Sequence, residues 1–424
     1  MMRYLLLLCV AGAAAIAIPV LPAAYAQNNL KQARPYEIVD TNQRQCYDAS
    51  GRGPLEACPS AGDPFFGQDA NYVINLPRYV INDDGTVSDK VTGLQWQKGF
   101  IRGVEWSEAE QYARKADLAG HNDWRAPTIK ELYSLIAFSG DQGAARPSAE
   151  EAPADARPFI DTDVFDFEYP TVNRYIDAQY ITSTVYSGRA MEQKAFFGVN
   201  FADGRIKGYP QRHRNGAWYL KLVRGNPDYG KNIFQDNGDD TVTDLATGLT
   251  WMQSDSGGST AQFVKSAVIA THYFDGRMDW TEALAFCEGL TLAGADDWRL
   301  PNAKELQSIV DYDRSPDASN SAAIDPVFDV TEITDEAGQA DYPGYWTSTT
   351  LLAGPDKGKD GVVFFFGRAL GMNRSGAIID AHGAGAQRSD PKIGNPDAYP
   401  QWGHGPQGDV VRVYNYVRCV RSDG

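Results

Sequence analysis

A block of sequence occurs twice in this chain, and that recurrence constrains the fold more than any other feature. Trp106-Ser-Glu-Ala through Asp123-Trp124-Arg125-Ala126-Pro127-Thr-Ile-Lys130-Glu131-Leu132 returns as Trp280-Thr-Glu-Ala through Asp297-Trp298-Arg299-Leu300-Pro301-Asn-Ala-Lys304-Glu305-Leu306. Residues 106–136 and 280–310 align without a gap and share 14 of 31 residues. Such a chain is two copies of one folding unit, and a feature found in only one copy is a candidate for specialised function.

The pattern around the block predicts an α+β unit with an antiparallel sheet. Asn82-Asp-Asp-Gly85 and Asn237-Gly-Asp-Asp240 carry hairpin-turn chemistry, and each is followed by Thr-Gly-Leu-x-Trp, at 92–96 and 247–251. A helix comes next. Ala283, Phe286, Cys287 and Leu290 fall at the spacing of a buried helical stripe, as do Ala109, Tyr112, Ala113 and Ala116. Ser107 or Thr281 is the expected N-cap, with Ser107 and Glu110 forming a capping box. A second helix is expected from Thr128 or Asn302, each three residues before Glu131 or Glu305. Strands follow at 180–184 with 345–349, at 196–201 with 362–366, and at the closing pair 219–224 and 416–421. Arg125 and Arg299 are expected to pair with Glu131 and Glu305, which makes the repeated block scaffold rather than site.

Residues 1–26 read as a signal peptide. Arg3 precedes the apolar run Leu5–Leu21, and Ala24-Tyr25-Ala26 is a small-x-small cleavage site. No other stretch approaches the roughly 20 apolar residues that span a bilayer, so no integral membrane segment is expected after cleavage. The mature chain would carry 38 basic and 55 acidic residues, which disfavours nucleic acid as a partner. It retains Cys46, Cys58, Cys287 and Cys419. Ala113 stands where the second copy has Cys287, and Leu222 where it has Cys419. Joint loss predicts the disulfide Cys287–Cys419 and, by remainder, Cys46–Cys58. The expected domains are a lead-in at 27–75, a first repeat at 76–226, and a second repeat at 227–424 that holds long loop insertions, Ser254–Asp279 and Ser375–Asp409.

Three places attract attention as sites. The Ser375–Asp409 insertion offers Asp380, His382, Asp390, Tyr399, Trp402, His404 and Asp409 as ligand-binding residues, because long irregular insertions on a compact scaffold often carry function; a structural loop is the competing reading. On this reading its removal would abolish binding and spare the fold. The tract Arg205, Lys207, Arg212, His213 and Arg214 has no acid within it and is a candidate contact for an anionic partner, against a solvated hairpin tip. Asp236, Asp239, Asp240 and Asp244 are a candidate calcium site, as are Asp83, Asp84 and Asp89, although the EF-hand spacing is missing; solvated turns are the alternative. No nucleophile-base signature, metalloprotease helix, P-loop or Rossmann glycine pattern occurs, so no catalytic residue is assigned.

The Thr-Gly-Leu-x-Trp and Asp-Trp-Arg-x-Pro-x-x-Lys-Glu-Leu motifs, with Tyr345-Trp-Thr-Ser-Thr349 and Tyr416-Val-Arg-Cys-Val-Arg421, resemble the Lcl C-terminal domain family, named after the C-terminal domain of a collagen-like bacterial adhesin. The resemblance covers nearly all of 79–424. It implies two tandem C-type-lectin-like domains, each with two helices and an antiparallel sheet, and a role in binding a surface or matrix ligand. Sulfated glycans are implied by the founding member, whereas this chain is strongly acidic. The expected function is therefore a non-enzymatic binding or adhesion protein, secreted or on the extracellular surface or in the periplasm of a bacterium. It would recognise a glycan or a surface protein, and calcium is its one candidate cofactor. The alternatives are a structural subunit of an extracellular assembly, compatible with a homo-oligomer, and then a secreted hydrolase.

Overall fold

Each repeat opens with a tight turn that sets a hairpin. In the computed structural model, which describes residues 34–212, 218–258, 275–399, 402 and 407–422, Gly85 and Gly238 take left-handed φ angles of 81° and 73°, which glycine adopts without steric penalty. The first repeat runs through strands Tyr79–Ile81 (β1), Thr86–Asp89 (β2), Leu94–Gln97 (β3) and Ile101–Val104 (β4), then helices Ala109–Lys115 (α1) and Ile129–Tyr133 (α2). Strands Gln179–Val185 (β5), Ala195–Asn200 (β6), Arg205–Pro210 (β7), Trp218–Leu220 (β8) and Val223–Gly225 (β9) complete it. The second begins with Phe234–Asp236 (β10), Thr241–Asp244 (β11) and Leu249–Met252 (β12), then helices Trp280–Glu288 (α3), Ala303–Ser308 (α4) and Pro316–Ser319 (α5). Its later strands are Ile333–Thr334 (β13), Ala340–Asp341 (β14), Gly344–Leu351 (β15), Asp360–Phe365 (β16), Leu370–Met372 (β17), Ile378–Asp380 (β18), Gln387–Pro391 (β19) and Val420–Ser422 (β20). The predicted signal segment 1–26 lies outside the described residues.

Two four-stranded sheets, β1-β2-β3-β9 and β10-β11-β12-β20, are counterparts. The central sheet has eight strands in the order β15-β16-β19-β7-β6-β5-β8-β4. Its ladders are antiparallel except for the parallel contact of β5 with β8. β5, β6 and β7 mirror β15, β16 and β19 across the β7–β19 junction, where Ile206 opposes Gln387. The repeats thus share one sheet, arranged as two-fold related halves.

The repeated motif builds this scaffold by the same bonds in each copy. Trp124 Nε1 donates to Leu118 O and Trp298 Nε1 to Leu292 O. Arg125 pairs with Glu131, and Arg299 with Glu305 at 2.6 and 2.7 Å. The predicted capping boxes form at Thr128 with Glu131 and at Asn302 with Glu305. Thr184 and Thr349 accept from the first helical N–H groups, those of Ile129 and Ala303, satisfying donors that a helix leaves unpaired. The motif lysines then tie the halves together. Lys130 Nζ donates to Ser308 O at 2.6 Å and Lys304 Nζ to Ser134 O at 2.8 Å, so each lysine bonds the other repeat at the same position. Lys304 also bonds Asp40 O of the lead-in at 3.0 Å.

The two faces of the central sheet differ. On one face, a single core contains Trp96, Leu132, Phe197 and Ile206 from the first repeat and Trp251, Leu306, Phe364 and Val420 from the second. On the other face the apolar packing is split. One cluster holds Trp280, Phe286, Val363 and Phe365, and a separate one holds Ala113, Phe196, Tyr209 and Trp218.

Three local expectations need correction. Ser107 does not cap: the chain enters α1 through a single 3-10 turn at Trp106–Glu108, and Glu108 stands at the N-cap without a side-chain bond. In the second repeat the cap is Asp279, not Thr281; its carboxylate accepts from Glu282 N, and the two form a capping box. Ser375–Asp409 is not an add-on loop, because β19 within it is the counterpart of β7 and an interior strand. Its deletion would open the sheet rather than spare the fold.

Both expected disulfides are present, Cys46–Cys58 and Cys287–Cys419. The second links α3 to the residue before β20, and Ala113 and Leu222 fill the corresponding place with buried apolar contact. Replacing the pair with the first repeat's residues, Cys287→Ala with Cys419→Leu, is expected to keep the fold but lower urea stability by about 2–5 kcal/mol. An unchanged midpoint would contradict this. Burial pushes the Lys304 amine down to about 7, so between about pH 7 and its ordinary value near 10.4 the native state binds fewer protons than the unfolded chain. Stability contributed by this group therefore rises with pH across that window. Urea titrations at pH 7 and pH 10 should show a larger gain for the native sequence than for Lys304→Met.

Candidate functional site at the seam between the repeats

The gap between the two apolar clusters is occupied by charge. Along β7, Arg205, Lys207 and Tyr209 alternate with the inward Ile206 and so share one face. On β19, Arg388 lies opposite Val363 and Asp390 opposite Gly361, on the side of the Trp280 cluster. A strand buried on both faces normally reads as a run of apolar residues. Here one face presents cations, and they come from both repeats.

Few of these charges reach bulk solvent: the side chains of Lys207, Arg388 and Arg205 are 7%, 11% and 12% exposed. Asp203 lies 3.3 Å from Lys207 and 3.7 Å from Arg205. Arg205 also bonds Gln142 Oε1 at 2.9 Å and Ser389 Oγ at 3.2 Å. Arg388 pairs with Asp409, whose other oxygen lies 2.8 Å from His382 Nε2. Burial, with the nearby arginines, pushes Lys207 down to about 8 and Arg388 to about 9, while His382 falls well below its ordinary range. Arg205 Nε, Arg388 Nε and Nη1, Asp203 Oδ1 and His382 Nδ1 are buried without a hydrogen-bond partner, an unusual concentration, since buried polar atoms are generally paired.

Two adjoining cavities open at this seam. One, of about 1000 Å³, is lined by Arg102, Glu168, Tyr169, Tyr209 and Trp218 of the first repeat, together with His382 and Gln407 of the second. The other, of about 790 Å³, is lined by Arg146, Arg205 and Asp203 with Asp360, Arg374 and Arg388. Arg174 and Lys207 line both. Arg102 pairs with Glu168 and Arg174 with Asp177, which fixes the walls of the first.

The candidates from sequence are redistributed by this geometry. Arg205 and Lys207 do not sit on a solvated hairpin tip; Lys207 lines one cavity with His382 and the other with Arg388, both of which Asp409 holds. Arg212 is exposed beyond β7, and His213, Arg214 and His404 lie outside the described residues. Asp380 accepts from Tyr186 Oη at 2.6 Å and Gly383 N at 2.8 Å, and burial raises it to about 7. Asp390 is likewise buried and raised to about 7, 3.3 Å from Asn415 Nδ2. Tyr399 bonds Ile393 O at 3.4 Å, and Trp402 is half-buried; neither lines the two cavities. The acidic turns do not converge on a cation. Asp236 accepts from Gly238 N, Asp239 from Thr241 Oγ1, and Asp244 from Ile233 N, Ala246 N, Asn232 and Thr247. Asp240 takes a left-handed φ of 66° in the turn, and in the first repeat Asp84 bonds Thr86 and Asp89 bonds Val91 N. Among the described residues no group of three or more His, Cys, Asp or Glu could hold a metal ion. Tyr169, Arg174, Asp203 and Arg388 were not singled out by sequence. The available signal was the alternation Arg205-Ile-Lys207-Gly-Tyr209, a strand with one charged face.

The family model of the Lcl C-terminal domain matches residues 85–224 and, a second time, residues 240–378. The chain belongs to the Lcl C-terminal domain family. No curated protein and no solved structure matches it. The family is of adhesin type and is not a known enzyme family. β7 lies inside the first Lcl match, whereas β19, His382 and Asp409 follow the end of the second. Of the second repeat's seam residues, Arg388, His382 and Asp409 thus lie beyond its matched span, whereas Asp360 and Arg374 lie within it.

Asp409 holds Arg388 and His382 together, and removing its charge leaves a buried guanidinium uncompensated. Asp409→Asn is expected to cost about 3–5 kcal/mol, read as a lowered urea midpoint. A variant within 0.5 kcal/mol (roughly the effect of an ordinary surface substitution) would show that the seam charges are not coupled.

Proposed function

We propose that this tandem Lcl protein is an exported, non-enzymatic binding protein that holds an extracellular saccharide at the seam between its repeats. The reading of each repeat as C-type-lectin-like, and the exported location, rest on the family resemblance and on the N-terminal sequence. The disulfides agree with an oxidising compartment. No helix among the described residues is long and apolar enough to cross a membrane.

The observation that carries the proposal is the larger seam cavity. It combines aromatic side chains with a few fixed polar groups, the usual composition of a small-ligand site. Tyr169 contributes a half-buried ring stacked edge-on against Phe167 at 5.0 Å and a buried hydroxyl without a partner. A saccharide offers an apolar ring face to such aromatics and hydroxyls to Arg102, Glu168 and Gln407.

The test is glycan-array binding by the mature chain, followed by titration of the best hit. Tyr169→Ala should weaken binding at least about tenfold without shifting the melting temperature by more than a few degrees. Full-affinity binding by this variant would remove the site from the cavity. Absence of any glycan binding, with calcium or with EDTA, would favour the assembly-subunit reading.

A further inference from the structure

The two motif lysines make the same bond across the repeats and differ in what else they touch. Among the described residues, Lys304 Nζ bonds backbone carbonyls alone, those of Asp40 and Ser134. Lys130 Nζ also lies 2.8 Å from the side-chain carbonyl oxygen Oδ1 of Asn232. Asn232 in turn donates from Nδ2 to Asp244 Oδ2 at 2.9 Å, so its carboxamide is held between an amine and a buried carboxylate. Chemistry fixes its orientation at both ends, since the lysine donates and the carboxylate accepts. The first repeat has no such arrangement. Asp89 is the counterpart of Asp244, and the two lie opposite Tyr79 and Phe234 in their hairpins. Two residues before these stand Pro77 and Asn232. Pro77 has no carboxamide, and Asp89 Oδ2 is left buried without a partner. The Lys-Asn-Asp triad thus belongs to one copy, where the chain passes from the first repeat into the second.

An amine against a carboxamide is a nucleophile against an acyl carbon. Burial pushes the Lys130 amine down to about 8, against the opposing pull of Asp244 and then Asp311, so a neutral, nucleophilic fraction exists near neutral pH. The neutral amine keeps two hydrogens, for which Gly230 O at 3.1 Å and Ser308 O at 2.6 Å are acceptors. Its lone pair is then left for Asn232. We propose that Lys130 and Asn232 join in an intramolecular isopeptide bond, with Asp244 transferring the proton. The Nζ lone pair bonds to Cγ, and the carbonyl π pair moves onto Oδ1. As that pair returns, the Cγ–Nδ2 bond breaks. The proton given up by Nζ passes through Asp244 to Nδ2, which leaves as ammonia. An amine and a primary amide thus become a secondary amide and ammonia, with no oxidant or cofactor consumed. Ile233 N, Ala246 N and Thr247 Oγ1 donate to Asp244 and hold it at the leaving nitrogen. Holding the reactants in contact replaces a bimolecular encounter, and a cavity of about 490 Å³ lined by Lys130 and Asn232 lets ammonia out. The product keeps one N–H for Ser308 O, so the contact between the repeats survives. The bond ties α2 to the entry of the second repeat across 102 sequence positions. It constrains the unfolded chain as a disulfide does, but reductants do not open it.

The test is the intact mass of the folded mature chain under non-reducing conditions, followed by a peptide map. The mass should fall short of the sequence with two disulfides by one ammonia, and the map should contain a branched peptide joining Lys130 to Asn232. Lys130→Arg keeps the positive charge without the nucleophilic amine and should regain that ammonia. Asn232→Ala should do the same, and serves should the first variant fail to fold. Asp244→Asn should leave most of the chain unlinked at purification, although both reacting groups are present. A native chain without the branched peptide would overturn the inference. So would an ammonia deficit that maps only to linear peptides, at the N-terminal Gln27 or at Asn237-Gly238. Complete linkage in a folded Asp244→Asn variant would overturn the role given to Asp244.

Discussion

The reciprocal bonds of Lys130 to Ser308 O and of Lys304 to Ser134 O set how the two repeats meet, and the rest of the molecule follows from that meeting. Each lysine starts from a helix whose N-terminus is fixed by a capping box and by a threonine of the neighbouring strand, so its amine has little freedom in where it lands. Crossing at equivalent positions brings α2 beside α4 and makes one apolar core out of two. β7 and β19 then lie edge to edge and the central sheet becomes continuous. Burying an ammonium group is costly unless it is hydrogen-bonded, and Lys130 meets three acceptors, Gly230 O and Asn232 Oδ1 in addition to Ser308 O. The same solution recurs at Lys221, which donates to the backbone carbonyls of Gln97, Lys98 and Gly99, and at its counterpart Arg418, which donates to those of Met252, Gln253 and Asp329.

Joining the halves on one face leaves the other face with a line along which neither apolar cluster extends. The line falls on the two innermost strands, where the repeats differ most. The first supplies Arg205 and Lys207; the second supplies Arg388, with Asp409 and His382 folded under it. Duplication provided the scaffold, and divergence at its junction provided a charged floor that neither copy could build alone.

Much of the scaffold was legible in the sequence because it rests on local chemistry written twice. The Thr128–Glu131 and Asn302–Glu305 capping boxes, the Arg125–Glu131 and Arg299–Glu305 pairs, and the cysteine pairing read from Ala113 and Leu222 depend on short spacings or on comparison of the copies. Ser107 misled because a cap spacing does not reveal that the first turn is 3-10. The seam was illegible for a different reason. Arg205-Ile-Lys207-Gly-Tyr209 looks like a polar turn unless the reader knows that its charged face is covered by the other repeat, and Gln387–Pro391 looks like part of a loop until β7 is there to pair with it. The candidate residues were found separately, 175 residues or more apart between Arg205 or Lys207 and His382 or Asp409, and only the tertiary fold places them together. The acidic turns show the converse: clustered carboxylates in sequence, each bonded within its own turn in space.

If the seam is as integral as the shared core implies, the mature chain must unfold as one cooperative body. Differential scanning calorimetry tests this directly. A single transition whose van't Hoff and calorimetric enthalpies agree is expected; two resolved transitions, one for each repeat, would mean that the halves are independent domains and that the seam is not a built site.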